Sequence, residues 1–306
     1  MIQKQGQSTE ALLAYKDGKI EHGLGIGIPD MDLHIRFKRG QLNIILGHDN
    51  IGKTAMTLWY FLCLSTWHDI TWTVYLAENK TWQALRDLIQ MYSGKKFQEL
   101  TTQEILTYQA RIENWFSFID NSKLYTPEEM LKVFRKADTD AYFIDPFTAL
   151  DRQFGYEANY QFLNNARQFC NETGKTLYLS SHPVTESGRA NGHYPKGHDW
   201  EGHLKPPYKS SIEGGKAFCN RVDDFIVLHR MTDYEGDMRF KTMFIVSKVK
   251  DLETGGKIVN PNNPILLDYN SGLGFKCGFD EGINRSPLPA KDKGLLIDEE
   301  PDGLPF

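Results

Sequence analysis

The chain has 306 residues, of which 40% are hydrophobic and 25% are charged, the composition of a globular protein that needs no disulfide or metal to hold its core. The four cysteines are scattered without a C-x-x-C pair, which favours a reducing, intracellular setting over a disulfide framework. The net charge of -5 does not indicate nucleic-acid binding, but acidic residues crowd the last nine positions, so the rest of the chain is closer to neutral.

No segment of the sequence indicates a membrane protein. The first ten residues are polar and lack the apolar region of a signal peptide. The longest apolar run near a helix, residues 55–64, is too short to span a bilayer. We therefore expect a soluble, cytoplasmic protein with no membrane contact.

Strand-like and helix-like segments alternate along the chain. After a polar stretch with a short helix at 9–15, helices are predicted at 53–65, 81–91, 101–115, from 126, at 160–172 and around 212–222. Strands are predicted at 41–46, 71–77, 116–119, 141–144, 176–179, 225–228, 243–249 and 265–267. This alternation predicts an α/β fold with a mainly parallel, twisted sheet and helices on both faces.

Two segments break the alternation. Residues 183–209 are rich in Gly, His, Pro and aromatic side chains and are longer than an ordinary loop. From Cys277 onward the sequence is polar and contains proline, which is typical of a disordered tail. The predicted organisation is an arm or linker at 1–22, one α/β domain at 23–276 and a disordered acidic tail at 277–306.

One motif carries a specific chemistry. Its residues are Gly47, His48, Asp49, Asn50, Ile51, Gly52, Lys53 and Thr54, which fit the pattern G-x-x-x-x-G-K-[ST]. In this pattern glycines let main-chain N–H groups wrap phosphates, the lysine reaches the terminal phosphates, and the threonine hydroxyl binds Mg²⁺. The motif lies between a predicted strand and a predicted helix, as it must. We therefore expect this loop to bind ATP or another nucleoside triphosphate with Mg²⁺.

Hydrolysis also needs a carboxylate beside the metal and a group that activates water. Asp145 ends an apolar strand and is the candidate for the metal, although an aspartate opening a turn at Pro146 would look the same. Glu78 follows another strand and is the candidate general base, with a solvated strand-end glutamate as the alternative. His182 follows a third strand, where it would either contact the terminal phosphate or pack as an ordinary histidine.

The order of these features is specific: a phosphate loop, then strands ending in Glu, Asp and His, then a long loop. It resembles the RecA-like motor domain of DnaB-family hexameric replicative helicases, and most closely the phage primase–helicases and the mitochondrial Twinkle helicase. The likeness covers residues 27 to 275. It implies a RecA-like ATPase core, with Glu78 as the catalytic glutamate, Asp145 beside the magnesium and His182 as the phosphate sensor.

The resemblance also implies residues that act across a subunit interface. Residues 247–255 match a family hairpin that carries Lys-x-Arg and reaches the triphosphate of the neighbouring subunit, and here the two cations are Lys248 and Lys250. Lysine keeps the charge of the family's arginine finger but loses its bidentate fork, so hydrolysis in trans would be slower or arranged differently. The alternative is an unremarkable pair of surface lysines. Arg230 and Tyr269 match positions that sandwich the nucleotide base, although both could be packing residues.

Two further segments suggest partners. In this family, loops that face the ring channel hold single-stranded DNA, and residues 183–209 offer cations interleaved with aromatic rings. The candidate DNA contacts are Arg189, Lys196, Lys205 and Lys209. Three histidines of this loop recur every fifth residue, but the spacing fits no common zinc site. The acidic end with Leu304, Pro305 and Phe306 resembles tails that dock on replication partners, with a merely solubilising tail as the alternative.

Together these features predict an ATP-dependent DNA helicase or translocase that acts on single-stranded DNA in replication. We expect a homo-oligomeric ring, a hexamer in this family, with NTP hydrolysed at subunit interfaces, and a phage protein acting in the bacterial cytoplasm. Two alternatives remain. One is a RecA-like recombination ATPase that pairs DNA strands on a filament, and the other is a DNA-stimulated ATPase that regulates another helicase.

Overall fold

The centre of the molecule is a sheet of nine strands, seen in a computed structural model that describes residues 5–19, 22–152, 155–184 and 192–286. The strands are β1 (Leu42–Leu46), β2 (Trp72–Leu76), β3 (Phe116–Phe118), β4 (Ala141–Asp145), β5 (Thr176–Ser181), β6 (Phe225–His229), β7 (Lys241–Lys248), β8 (Ile265–Tyr269) and β9 (Phe275–Lys276). Their order across the sheet is β3-β2-β4-β5-β1-β6-β7-β8-β9. The first six in this order are parallel, and β7, β8 and β9 are added antiparallel.

Helices lie between successive parallel strands, as the alternation predicts, and further helices precede β1 or lie between β7 and β8. They are α1 (Thr9–Lys16), α2 (Pro29–Asp32), α3 (Lys53–His68), α4 (Thr81–Ser93), α5 (Thr102–Trp115), α6 (Pro127–Lys136), α7 (Tyr156–Thr173), α8 (Ala217–Arg221) and α9 (Leu252–Gly255). Every residue of β1, β2, β4, β5 and β6 is buried, so these strands are covered on both faces. That burial is why they read as continuous apolar runs. The predicted α/β fold is confirmed.

Two helix starts follow from local capping chemistry. The hydroxyl of Thr126 accepts the N–H of Glu129, while the Glu129 carboxylate accepts the N–H of Thr126. Thr101 and Glu104 form the same reciprocal pair at the start of α5. Such a box satisfies N–H groups that have no partner inside the helix. None of the described helices is both long enough and apolar enough to cross a bilayer.

Residues 277–286, which the sequence assigns to the tail, contact the rest of the domain. Trp67 donates its indole N–H to the carbonyl of Gly282 at 2.9 Å, and Arg285 donates to the carbonyl of Tyr92 at 2.8 Å. Ile283 packs against the core. Residues 277–286 therefore belong to the folded domain, because main-chain contacts hold a segment whose polar composition suggests disorder. Predicted edges also moved: α7 begins at Tyr156, and α8 covers only the last part of the predicted 212–222 helix.

Candidate active site

The phosphate loop joins β1 to α3 and depends on two glycines. Gly52 has a φ of +83°, in the left-handed region that glycine adopts without strain, and it directly precedes the first residue of α3. A Cβ atom on Gly47 would lie 2.6 Å from the Ile51 side chain and 3.0 Å from the carbonyl oxygen of Leu228. The N-terminus of α3, a 16-residue helix, points its free N–H groups into this loop, which suits an anion.

Lys53 reaches across the loop to the end of β5. Its Nζ lies 3.1 Å from the carbonyl oxygen of Gly47 and 3.2 Å from that of Ser181. It also lies 3.1 Å from Nδ1 of His182. Burial lowers the pKa of this lysine, because the charged form loses hydration there. The sequence places Lys53 and His182 far apart, and the sheet brings them into contact.

His182 also contacts the phosphate loop itself. Its Nδ1 lies 2.6 Å from Oδ1 of Asp49. One ring nitrogen cannot both donate to Asp49 and accept from Lys53, so the two contacts are alternatives that depend on the protonation of the ring.

Asp145 lies at the end of β4 and is 2% exposed. Its carboxylate accepts hydrogen bonds from the hydroxyls of Thr54 and Ser180. Mg²⁺ prefers oxygen ligands, and in phosphate-loop sites it takes few of them from the protein because water and substrate phosphates supply the others. The Thr54 hydroxyl beside the Asp145 carboxylate fits that donor set. Within the described ranges, no three His, Cys, Asp or Glu side chains cluster as a metal site of their own.

Glu78 lies in the same cleft as the other residues that the sequence predicts for hydrolysis. It comes two residues after the end of β2 and lines the same cleft as Lys53, Thr54, Asp145 and His182. The cleft has a volume of about 740 Å³, a suitable size for a small organic ligand. Its other lining residues are His48, Asp49, Asn50, Gly52, Ala55, Leu58, Asn79, Gln83, Ala84, Asp87, Pro183 and Glu213.

Strand order explains how these side chains meet. Strand β5 lies between β1 and β4, and β2 follows β4. All four strands are parallel, so their carboxyl ends share one edge of the sheet. That edge is where ligands bind in open α/β sheets. Ser180 is a contact that the sequence did not predict, and the available signal was its position two residues before His182 on the same strand.

The two lysines predicted to act in trans lie elsewhere. Lys248 pairs with Phe225, the first residue of β6, so it lies at the sheet edge opposite the phosphate loop. Its Nζ donates to the carbonyls of Cys219 at 2.9 Å and Val222 at 2.6 Å. Lys250 Nζ lies 3.2 Å from Asp223, and its side chain is 60% exposed. Neither lysine lines the cleft of its own chain.

The predicted base-binding pair is close together but outside the cleft. The Arg230 guanidinium lies 5.3 Å from the centre of the Tyr269 ring. Arg230 also donates to the carbonyl of Arg239 at 2.6 Å. Both residues lie just after or at the ends of β6 and β8, on the phosphate-loop side of the sheet.

The predicted DNA contacts are partly described. Lys196 and Lys209 are exposed, and Lys205 lies 5.9 Å from the ring centre of Tyr194. Arg189 lies outside the described residues, as do Leu304, Pro305 and Phe306 of the predicted tail motif. The loop is anchored at one point by His229, whose Nε2 lies 2.8 Å from the carbonyl oxygen of Leu204.

The phosphate loop, the cleft and the strand order are those of a RecA-like fold. The ATPase domain of G40P has the same fold, with a TM-score of 0.70, 15% identity, and coverage of 89% of this chain and 99% of that chain. A DnaB-like replicative helicase, described with its interactions with primase, has a TM-score of 0.66 and 14% identity, with coverage of 90% of this chain and 67% of that chain. The RadB recombinase has a TM-score of 0.52 and 14% identity, with coverage of 82% of this chain and 98% of that chain.

The resemblance to the RecA-like domain of DnaB-type helicases is therefore confirmed at the level of the fold. No protein-family model and no curated protein matches the sequence. At 14–15% identity, structural likeness establishes the fold, and the activity must be argued from the site.

Proposed function

We propose that this protein hydrolyses ATP with Mg²⁺ and uses the energy to move along single-stranded DNA as a replicative helicase or translocase. The observation that carries the proposal is the cleft in which Lys53 contacts His182, Thr54 contacts Asp145, and Glu78 lines the same wall. This is the arrangement that phosphoryl transfer to water needs: a cradle for phosphates, a metal-side carboxylate and a base. The shared fold with helicase ATPase domains supports the helicase assignment.

The residues divide the chemistry among them. Main-chain N–H groups of the phosphate loop and the Lys53 ammonium would hold the β- and γ-phosphates. Thr54 and Asp145 would hold Mg²⁺, which when bound offsets charge that develops on the phosphate oxygens. Glu78 would orient and deprotonate the attacking water. His182, next to Lys53, would change partner when the terminal phosphate leaves.

The proposed ring supplies the remaining charge from a neighbouring subunit. Lys250 is exposed and lies at the sheet edge opposite its own cleft, so it can face another subunit's nucleotide. Lys248 is half-buried and donates to two main-chain carbonyls, which suits a supporting role in shaping the same edge. Lys250 is therefore the leading candidate for the trans cation, in a homo-oligomer that we propose to be a hexamer.

DNA and partner contacts complete the proposal. Lys196, Lys205, Lys209 and Arg189 would bind single-stranded DNA, and Arg230 with Tyr269 would hold the base of the nucleotide. The residues Leu304, Pro305 and Phe306 would dock on a replication partner. We also propose a phage origin with activity in the bacterial cytoplasm, an arm at residues 1–22 that links subunits, and a tail that begins after residue 286.

A strand-pairing recombination ATPase is the second candidate, favoured by the shared fold with the RadB recombinase. Regulation of another helicase by a DNA-stimulated ATPase is a weaker third. Three features favour the first candidate: Glu78 and Asp145 belong to different strand ends, His182 follows a third strand, and residues 247–255 match the family segment that carries the trans cations.

The test compares the wild-type chain with the Lys53→Ala variant in three assays: ATP hydrolysis with single-stranded DNA, unwinding of a forked duplex, and pairing of complementary strands. We expect the wild-type chain to hydrolyse ATP and to unwind the forked duplex, and the Lys53→Ala variant to do neither. Full hydrolysis by Lys53→Ala would refute the site. Strand pairing without unwinding would favour the recombinase, and negative-stain images with a nucleotide analogue and DNA would then distinguish ring from filament.

A further inference from the structure

The turn that carries Glu78 lies next to the sheet edge formed by β3. Strand β3 pairs with Trp72–Val74 of β2, and the ladder extends one step further, where Ile119 donates its N–H to the carbonyl of Val74 at 2.9 Å. In a parallel ladder the next donor would be the main-chain N–H two residues later, directed at the carbonyl of Leu76. A side chain takes that place.

The side-chain amide of Asn121 occupies the position of the missing donor. Its Nδ2 donates to the carbonyl of Leu76 at 2.7 Å and to the carbonyl of Asn79 at 2.9 Å. Both partners can only accept, so the nitrogen of the amide must face them. The two carbonyls bracket Ala77 and Glu78. One side chain therefore closes the short turn that follows β2.

The same turn is held from the other side by the sheet. Ala77 donates its N–H to the carbonyl of Asp145 at 2.9 Å. The loop between β3 and α6, residues 119–126, contains Asn121 and is called the Asn121 loop. It contacts the segment after Asp145, because Asp151 donates its N–H to the carbonyl of Tyr125 at 2.9 Å. The rings of Tyr75 and Tyr125 lie 5.5 Å apart in an edge-to-face contact. Glu78 thus projects from a turn clamped between the Asp145 strand and the Asn121 loop.

We propose that Asn121 is a positioning residue for the hydrolysis reaction, which fixes the Glu78 turn so that the carboxylate faces the attacking water. The proposal rests on the role of Glu78 in the proposed function. Asparagine suits the task because its planar amide offers two N–H donors to two carbonyls at once. Aspartate has the same shape but places a second acceptor against those carbonyls, and alanine removes both bonds.

A displaced catalytic base lowers the rate of the chemical step more than it lowers binding. An error of about 1 Å in the position of a reacting group can lower the rate about 100-fold. Nucleotide binding depends on the phosphate loop, which Asn121 does not touch. The expected signature of Asn121→Ala and Asn121→Asp is therefore a fall in kcat with an unchanged affinity for nucleotide.

The experiment measures DNA-stimulated kcat, the Kd of a fluorescent ADP analogue, and Tm for the full chain. Asn121→Ala should lower kcat by about 10- to 100-fold and leave the Kd within about twofold. Ser122→Ala is the matched control, because Ser122 lies in the same loop and bonds only Asp120 in its side-chain contacts. It should retain wild-type kcat. In a Glu78→Gln background, Asn121→Ala should lower the residual single-turnover rate by less than about twofold, since both changes affect one group.

A kcat of Asn121→Ala within twofold of wild type would overturn the proposal. A fall in ADP affinity and in Tm alongside the fall in kcat would also overturn it, because it indicates general damage to the domain. So would a fall of about 10- to 100-fold in the single-turnover rate when Asn121→Ala is added to Glu78→Gln. Failure of the proposed function is distinguishable, because the wild-type chain would then show no hydrolysis, or Glu78→Gln would hydrolyse ATP at the wild-type rate.

Discussion

The hydroxyl of Thr54 donates a hydrogen bond to the carboxylate of Asp145, although the two residues are 91 positions apart in the chain. Thr54 belongs to the first turn of α3, and Asp145 ends β4. Ser180 donates to the other carboxylate oxygen from β5. Three elements therefore orient one buried carboxylate, and the Thr54 hydroxyl that contacts it is the group that we expect to bind magnesium.

Substitutions at Thr54 should separate metal binding from folding. Thr54→Ser keeps the hydroxyl and should retain Mg²⁺-dependent nucleotide binding. Thr54→Ala removes it and should weaken that binding by about 10- to 100-fold, the usual effect of losing a supporting group at a metal site. Titration of a fluorescent ADP analogue with and without Mg²⁺ measures the effect. Equal affinities of the two variants at every Mg²⁺ concentration would contradict the assignment.

Glu78→Gln should separate binding from hydrolysis. Glutamine preserves the size of the side chain but cannot take a proton from water, so kcat should fall by about 100- to 10,000-fold. Affinity for ATP should stay within a few-fold of wild type, because Glu78 is not part of the phosphate loop. Single-turnover hydrolysis and equilibrium binding, measured on the same preparation, check both halves. A variant that hydrolyses at the wild-type rate would remove Glu78 from the mechanism.

The two lysines that we propose to act in trans should behave differently. Lys250→Ala removes a cation that is 60% exposed and leaves Asp223 its ion pair with Arg167, so it should lower hydrolysis with little change in Tm. Lys248→Ala removes two hydrogen bonds to main-chain carbonyls, so it should also lower the free energy of unfolding, by about 1–3 kcal/mol. Thermal unfolding and ATPase assays of both variants measure the contrast.

A mixing experiment then tests whether the site is shared. Lys250→Ala keeps Glu78, and Glu78→Gln keeps Lys250, so an interface between the two variants can hold one intact site. Mixed at equal concentrations and allowed to exchange subunits, the two impaired variants should together recover part of the wild-type rate. If exchange is shown with labelled subunits and no activity returns, Lys250 does not act across the interface.

His229 should make stability depend on pH. Burial lowers the pKa of this histidine to about 4, and its Nδ1 has no hydrogen-bond partner among the described residues. The unfolded chain binds a proton first as the pH falls below about 6.5, so stability is lost between pH 6.5 and 4. At pH 5 the loss should be about 2 kcal/mol relative to pH 7.5.

The control for that prediction is His229→Gln, which can still donate to Leu204 but cannot be protonated. Asp224 acts in the opposite direction, because burial raises the pKa of its carboxyl to about 6. That contribution is present in both proteins and cancels in the comparison. Urea unfolding at the two pH values should show a larger loss in the wild type, and parallel losses would refute the role of His229.

The tail should matter for partners and not for chemistry. Deletion of Leu304, Pro305 and Phe306 should leave kcat and DNA stimulation unchanged, since the role that we propose for these residues is to bind a partner. Binding to isolated replication proteins, such as a single-stranded-DNA-binding protein, a primase and a polymerase, should weaken. Unchanged binding to all of them would indicate that the tail serves only solubility.

The sequence alone determined the local features of the site. The phosphate loop is a contiguous segment, and its glycines, lysine and threonine have the types that phosphate and magnesium binding require. The α/β class followed from strands that are buried on both faces and therefore read as apolar runs. The helix start at Thr126 followed from its capping threonine, the proline after it and the early carboxylates.

Tertiary structure decided which distant groups meet and which segments are folded. The contacts of Lys53 with His182 and of Asp145 with Ser180 depend on β5 lying between β1 and β4. Such strand order leaves no mark on any one strand, because a buried strand is apolar wherever it lies in a parallel sheet. The sequence also could not reveal that residues 277–286 pack on the domain or that the Asn121 amide closes the turn that carries Glu78. Both depend on main-chain carbonyls, which every residue carries.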